Sequence, residues 1–294
     1  MLKKLFVHEW RSFWKVPAAM CLFALAYALI GALTFQTDLW TSDSHLVRLV
    51  LFFGSIGYFI LLIAPAIVLL IYTALRFYRN LFTDEGYLMH TLPVKKWELI
   101  TAKGLVAVIW NVITTITTLL AVFLVVLLIS ISSRYGSLTW VDMSESFAQF
   151  FHEAIPIIKE MFRMPVWMVT LLFLGSFIVS AFYGTLLLYA SVSIGHLWKK
   201  HPMAGTVLSY IVFYLAISFL TSAFNINSLN RILGNVSWAP YSTASIEIET
   251  VTAYASMGDY ILSVLGNSYL VSAIGILVFY AITEWIMSHK LNLD

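Results

Sequence analysis

Two dipeptides, His8-Glu9 and His152-Glu153, open as the helical zinc-peptidase motif does, in which a second histidine four residues after the first completes the metal site. Ser12 and Pro156 stand at that position, so neither stretch can hold zinc in this way. The chain has no Gly-x-x-x-x-Gly-Lys-Ser/Thr loop to cradle nucleotide phosphates and no Gly-x-Ser-x-Gly elbow to present a serine nucleophile. The single cysteine, Cys21, lies in an apolar run and excludes an intrachain disulfide. Bond chemistry by this chain is therefore not expected, and neither is a catalytic, cofactor-binding or metal-binding set of residues.

Ion-coupled transport needs ionisable groups at membrane depth, where each costs about 3 kcal/mol or more. Glu284 is the one carboxylate clearly within an apolar segment, near the cytoplasmic end of the last expected span, and it reads as a snorkelled or arginine-paired structural acid, or else as an intramembrane relay. Asn111, Thr114, Thr115, Thr117 and Thr118 follow one another at spacings that suit hydrogen bonds between helices or the lining of a polar path. Helix packing is the stronger reading. Gly54, Gly57, Pro65, Gly175 and Gly184 read in the same way as close packing or a bend.

The elements that must position these groups follow from composition. Of 294 residues, 61% are hydrophobic and 11% charged, against about 25% charged in a soluble domain. A water-soluble fold cannot hide that much apolar surface, so lipid is the solvent. The net charge of +2 gives no basis for binding nucleic acid. A bilayer core about 30 Å thick takes about 20 apolar residues per helix. Val16 to Phe35, Leu49 to Leu75, Leu105 to Ile131, Val166 to Ile194, Met203 to Phe224 and Ser268 to Ser288 qualify. The expected fold is an all-α, polytopic transmembrane bundle of six spans, a single domain over residues 1–294.

Twelve of the 17 lysines and arginines fall in one set of connections, among them Lys3, Lys4, Arg11, Lys15, Arg76, Arg79, Lys95, Lys96, Lys103, Lys199, Lys200 and Lys290. The other set has only Arg48, Arg134, Lys159, Arg163 and Arg231. Both termini are therefore expected in the cytoplasm. Residues 132–165 and 225–267 become extracellular connections, the first with an amphipathic helix around Ser144 to Phe162. Ahead of the first span, Leu2, Leu5, Phe6, Val7, Trp10, Phe13 and Trp14 share one side of a helical wheel, with Lys4, His8, Arg11, Ser12 and Lys15 opposite and Lys3 and Glu9 at the margins. Residues 1–15 read as an interfacial helix with its basic face toward anionic lipid.

The cytoplasmic loop over residues 76–104 holds the most information. It is polar enough to leave the membrane, yet it carries Phe82, Tyr87, Leu88, Met89, Leu92 and Trp97 among Asp84, Glu85, Lys95 and Lys96. Apolar side chains rimmed by charge mark a protein contact. Gly86 and Pro93 punctuate the segment, and Val94, Trp97 and Ile100 resume helical spacing. The run from Leu81 to Val94 (Leu-Phe-Thr-Asp-Glu-Gly-Tyr-Leu-Met-His-Thr-Leu-Pro-Val), followed by Trp97-Glu-Leu and Lys103, resembles the loop between the second and third spans of bacterial ATP-binding-cassette (ABC) transporter permease subunits of the type 2 exporter class.

The resemblance implies that this loop is a coupling helix seated in a cleft of a separate ATPase subunit. Phe82, Asp84, Glu85, Gly86, Tyr87, Leu88, Met89, Leu92, Pro93, Lys95, Lys96 and Trp97 would make the contact. It further implies two ATPase copies, which bind ATP and Mg, and a second permease subunit, identical or homologous. The cargo would be a peptide, a drug-like molecule or a lipid, and the location the bacterial inner membrane. A non-transporting membrane sensor or assembly partner of such an ATPase is the alternative from a different class.

Overall fold

The structure is a computed structural model that describes residues 2–35, 44–83, 86, 94–135, 140–198, 200–234 and 246–289. Eight helices make up its regular structure among these residues, in the order α1 (Leu2–Phe13), α2 (Lys15–Phe35), α3 (His45–Phe82), α4 (Lys96–Tyr135), α5 (Trp140–Phe162), α6 (Val166–His196), α7 (Pro202–Gly234) and α8 (Ile246–His289). Among the described residues, five are long and apolar enough to cross a membrane: α3, α4 as far as Val126, α6, α7 as far as Asn230 and α8 from Met257. The chain is thus an all-helical, multi-pass membrane protein.

The bend of 47° between α1 and α2 has a local cause. Proline has no N–H, so Pro17 cannot donate to the carbonyl of Phe13 four residues earlier, and its ring crowds that carbonyl. The helix breaks at Trp14 and restarts. Counted as one span, the bent pair makes a sixth.

Packing divides the chain into two compact units, residues 1–76 with 97–150, and 77–96 with 151–294. In the first, Phe13 of α1, Leu69 of α3 and Val106, Ala107 and Trp110 of α4 form one buried cluster, with Phe6, Trp10, Ala18 and Tyr72 packed around it. The indoles of Trp10 and Trp110 stack with centroids 5.3 Å apart. The Trp110 Nε1 hydrogen is buried without an acceptor. A second cluster joins Ala28 of α2, Tyr58 and Leu62 of α3, and Ala121 and Val125 of α4.

In the second unit α6, α7 and α8 pack on one another. Small residues let the backbones approach, which is the main route to helix association when lipid is as apolar as leucine. A Cβ on Gly195 of α6 would collide with the backbone of Thr206 on α7, and one on Gly175 would meet the Tyr269 hydroxyl of α8. That hydroxyl donates to the Leu172 carbonyl of α6 at 2.6 Å. Gly54, Gly57 and Gly184, expected at close contacts, have open space beside them among the described residues.

Helix ends depart most from expectation. α7 runs to Gly234 and α8 begins at Ile246, so most of 225–267 is helix rather than loop. There Asn267 of α8 donates through Nδ2 to Asn225 Oδ1 and Ser228 Oγ of α7, at 3.3 and 3.1 Å. The amphipathic helix expected at 144–162 is α5, which starts earlier, at Trp140. It ends where Arg163 takes a left-handed φ of 51°, its N–H bonded to the Lys159 carbonyl, and Pro165 starts α6.

Candidate functional site

The loop that carries the family resemblance hangs between α3 and α4, and the structure describes its two ends. At the α3 end, Leu81 is fully buried and Phe82 is 5% exposed. The Phe82 ring lies 4.7 Å from that of His196 at the end of α6 and 5.9 Å from Phe77, which itself stacks on Tyr189 of α6 at 3.7 Å. Phe82, one of the residues expected to contact a partner protein, packs within the chain against α6. A phenyl ring next to charged residues in sequence reads as exposed until α6 is seen to cover it. Gly86 is buried, its N–H donates to the Thr83 carbonyl at 2.7 Å, and a Cβ there would strike the Leu81 carbonyl. Only glycine fits that position.

Asp84, Glu85, Tyr87, Leu88, Met89, Leu92 and Pro93 lie outside the described residues. At the α4 end, Lys95 is exposed and Trp97 is 42% exposed, both free to meet another surface. Lys96 is committed: its ammonium donates to the Met287 carbonyl in the last turn of α8. A cation at a helix C-terminus satisfies a carbonyl with no intrahelical partner and complements the helix dipole. Lys96, also among the residues expected to contact a partner, fastens α8 within the chain.

One site was not expected from the sequence. Glu9 of α1 is buried, and its two carboxylate oxygens each receive one cation. Arg76 of α3 donates through Nε to Oε1 at 2.7 Å, and Lys103 of α4 donates through Nζ to Oε2 at 2.9 Å. The side chains of Glu9, Lys103 and Arg76 are only 7%, 5% and 16% exposed. Arg76 also donates through Nη1 to the Ser12 carbonyl and the Tyr72 hydroxyl, and its guanidinium lies 5.4 Å above the Phe13 ring. Burial alone would raise the Glu9 carboxyl, but the charge of Lys103 and the hydrogen bond from Arg76 outweigh it and hold it below its ordinary value. A faint signal existed. Glu9 is the only acid before Asp38, and it sits at the edge of an apolar helix face.

The hydroxyl row of α4 separates once the helix is drawn. Thr114 is buried against Cys21 of α2, with Oγ1 3.7 Å from Sγ, whereas Thr115 is exposed and Asn111 and Thr118 are half-buried. Thr115, Thr117 and Thr118 donate to carbonyls four residues back on their own helix, at 2.8 to 2.9 Å. At i, i+3, i+4 and i+7 the four positions fall on one face of α4, with Thr114 at its buried edge, where it serves packing between helices. Glu284 is half-buried on α8 and has no ion-pair partner among the described residues, so the expected arginine pairing is not found there.

Two recesses open in the second unit. A cavity of about 510 Å³ between α7 and α8 is walled by Phe213, Leu220, Phe224, Val271 and Phe279, with Asn267 as its polar member. A smaller one of about 270 Å³ between α6 and α8 gathers Ser176, Ser180, Ser268, Ser272 and Tyr269. Among the described residues no group of three or more His, Cys, Asp or Glu side chains could hold a metal ion. The chain matches no family model, no curated protein and no solved structure.

Proposed function

We propose that the chain is the permease subunit of an ATP-driven exporter of the ABC class, moving a peptide, drug-like or lipid substrate out of a bacterial cell. In this reading α2, α3, α4, α6, α7 and α8 are six spans of the inner membrane, both termini are cytoplasmic, and α1 lies in the inner interface. The exposed Lys3, Lys4, His8, Arg11 and Lys15 of α1 suit anionic headgroups. Two ATPase subunits carry ATP and Mg, and a second permease, identical or homologous, completes the pathway. The permease itself breaks no bond.

The observation that carries the reading is the segment from Leu81 to Val94, followed by Trp97, with its resemblance to a coupling loop. It is supported by the exposure of Lys95 and Trp97 at the segment's described end. Closure of the ATPases on ATP would push on this segment and tilt α3 and α4.

The decisive variants are Leu88→Asp and Tyr87→Ala. Central apolar anchors dominate such contacts, and truncating one costs about 2 kcal/mol or more. Both variants are expected to reach normal levels in the membrane but to lose ATPase copurification and substrate-stimulated ATP turnover. Full assembly and full stimulation by Leu88→Asp would refute the coupling assignment. ATP-dependent efflux from proteoliposomes holding both subunits separates an exporter from a non-transporting partner of the same ATPase.

A further inference from the structure

The helix bends by 47° at Trp14, so α1 is not fixed in direction by a straight continuation into α2. What fixes it is its docking on α3 and α4 through Phe6, Trp10 and Phe13, and one carboxylate. The two cations on that carboxylate come from different helices, Arg76 from α3 and Lys103 from α4. These are the two helices from which the segment 83–95 is suspended. Each cation engages a separate oxygen, so α3 and α4 cannot move apart at this level while both bonds to Glu9 survive. Arg76 strengthens the tie by reaching the Ser12 carbonyl at the end of α1.

We propose that Glu9 is a positioning residue that binds α1, α3 and α4 into one mechanical element, setting the separation of the two stems of the 83–95 segment and carrying their movement to α1. The proposal goes beyond the exporter reading by adding the N-terminal helix to the moving parts. It rests on that reading only for the source of the movement. Arg76 and Lys103 act as a pair: neither alone spans the three helices.

The test uses the full-length chain in a Cys21→Ser background, with spin labels at the exposed positions of Leu75→Cys on α3 and Trp97→Cys on α4. Pulsed dipolar spectroscopy reads the distance between stems, and amide hydrogen exchange reads α1. With Glu9 present, one narrow distance distribution and a protected α1 are expected. Glu9→Gln keeps the size and loses the charge. It is expected to broaden the distribution and speed exchange in α1 about tenfold or more, while α6 to α8 keep their protection. Lys103→Gln, which leaves the bonds of Arg76 to Glu9 and to the Ser12 carbonyl in place, is expected to broaden the distribution while α1 keeps its protection. An unchanged distribution in Glu9→Gln overturns the proposal, as does an unchanged distribution in Lys103→Gln. These measurements need no ATPase. ATP turnover of Leu88→Asp with the partner present judges the coupling assignment separately, because full stimulation there would refute that assignment and leave the Glu9 tie standing.

Discussion

At Glu9 a single carboxylate faces two cations, so the consequences of removing each member differ. Lys103→Met leaves Glu9 and Arg76 as a neutral pair. Glu9→Leu leaves two cations in a site built to hide them. Stranding a buried charge costs about 3 to 5 kcal/mol, so Glu9→Leu is expected to lower the thermal midpoint of the detergent-solubilised chain more than Lys103→Met does. An equal or opposite ranking would mean that packing, not charge, governs the site. The pH dependence has a fixed sign. Since the folded carboxyl titrates below its ordinary value of 4.5, the unfolded chain binds the extra proton first as pH falls. Glu9 therefore contributes fully above that ordinary value and loses its contribution as pH drops through the folded one. Melting curves of the natural chain and Glu9→Gln should converge toward acid and separate toward neutrality. No spacing rule reveals this site in the sequence, since its hydrogen bonds join residues 67 and 94 positions apart.

Elements were legible in proportion to how directly lipid dictates them. Each of the six apolar runs lies within one helix, because backbone groups in hydrocarbon have no other way to be satisfied. Their ends were not legible. Loss of apolar character marks where lipid stops, whereas α7 and α8 continue into polar sequence and meet through Asn225, Ser228 and Asn267. The same distinction separates the two aromatic residues that bracket the segment 83–96. Phe82 belongs to the packed end of α3, and Trp97 stands half-open at the start of α4. Phe82→Ala should cost about 3 to 5 kcal/mol, as a buried phenyl ring does, and depress expression along with activity. Trp97→Ala should change stability by about 0.5 kcal/mol or less while reducing ATPase copurification. Thermal midpoints and pull-down yields for the pair check this, and a Trp97→Ala chain that retains the partner fully would remove Trp97 from the contact.

For the whole molecule, the sorting of 12 against five basic residues is an argument about topology that helix geometry alone cannot supply. Single cysteines replacing Lys95 or Lys199 are expected to resist an impermeant thiol reagent in intact cells, and those replacing Glu153 or Glu247 to react. Labelling at position 95 from outside would invert the scheme. One further property follows from α8. Its 44 residues make a rod about 66 Å long, far more than a tilted span needs. Near one end, Gly258 lies so close to the Met161 carbonyl of α5 that no Cβ fits between them. Near the other, the Met287 carbonyl is gripped by Lys96 at the start of α4. A stiff rod held at both ends ties the two contacts together, so a displacement of Lys96 and one of α5 at Gly258 are not independent, although some 29 residues of unbroken helix separate them.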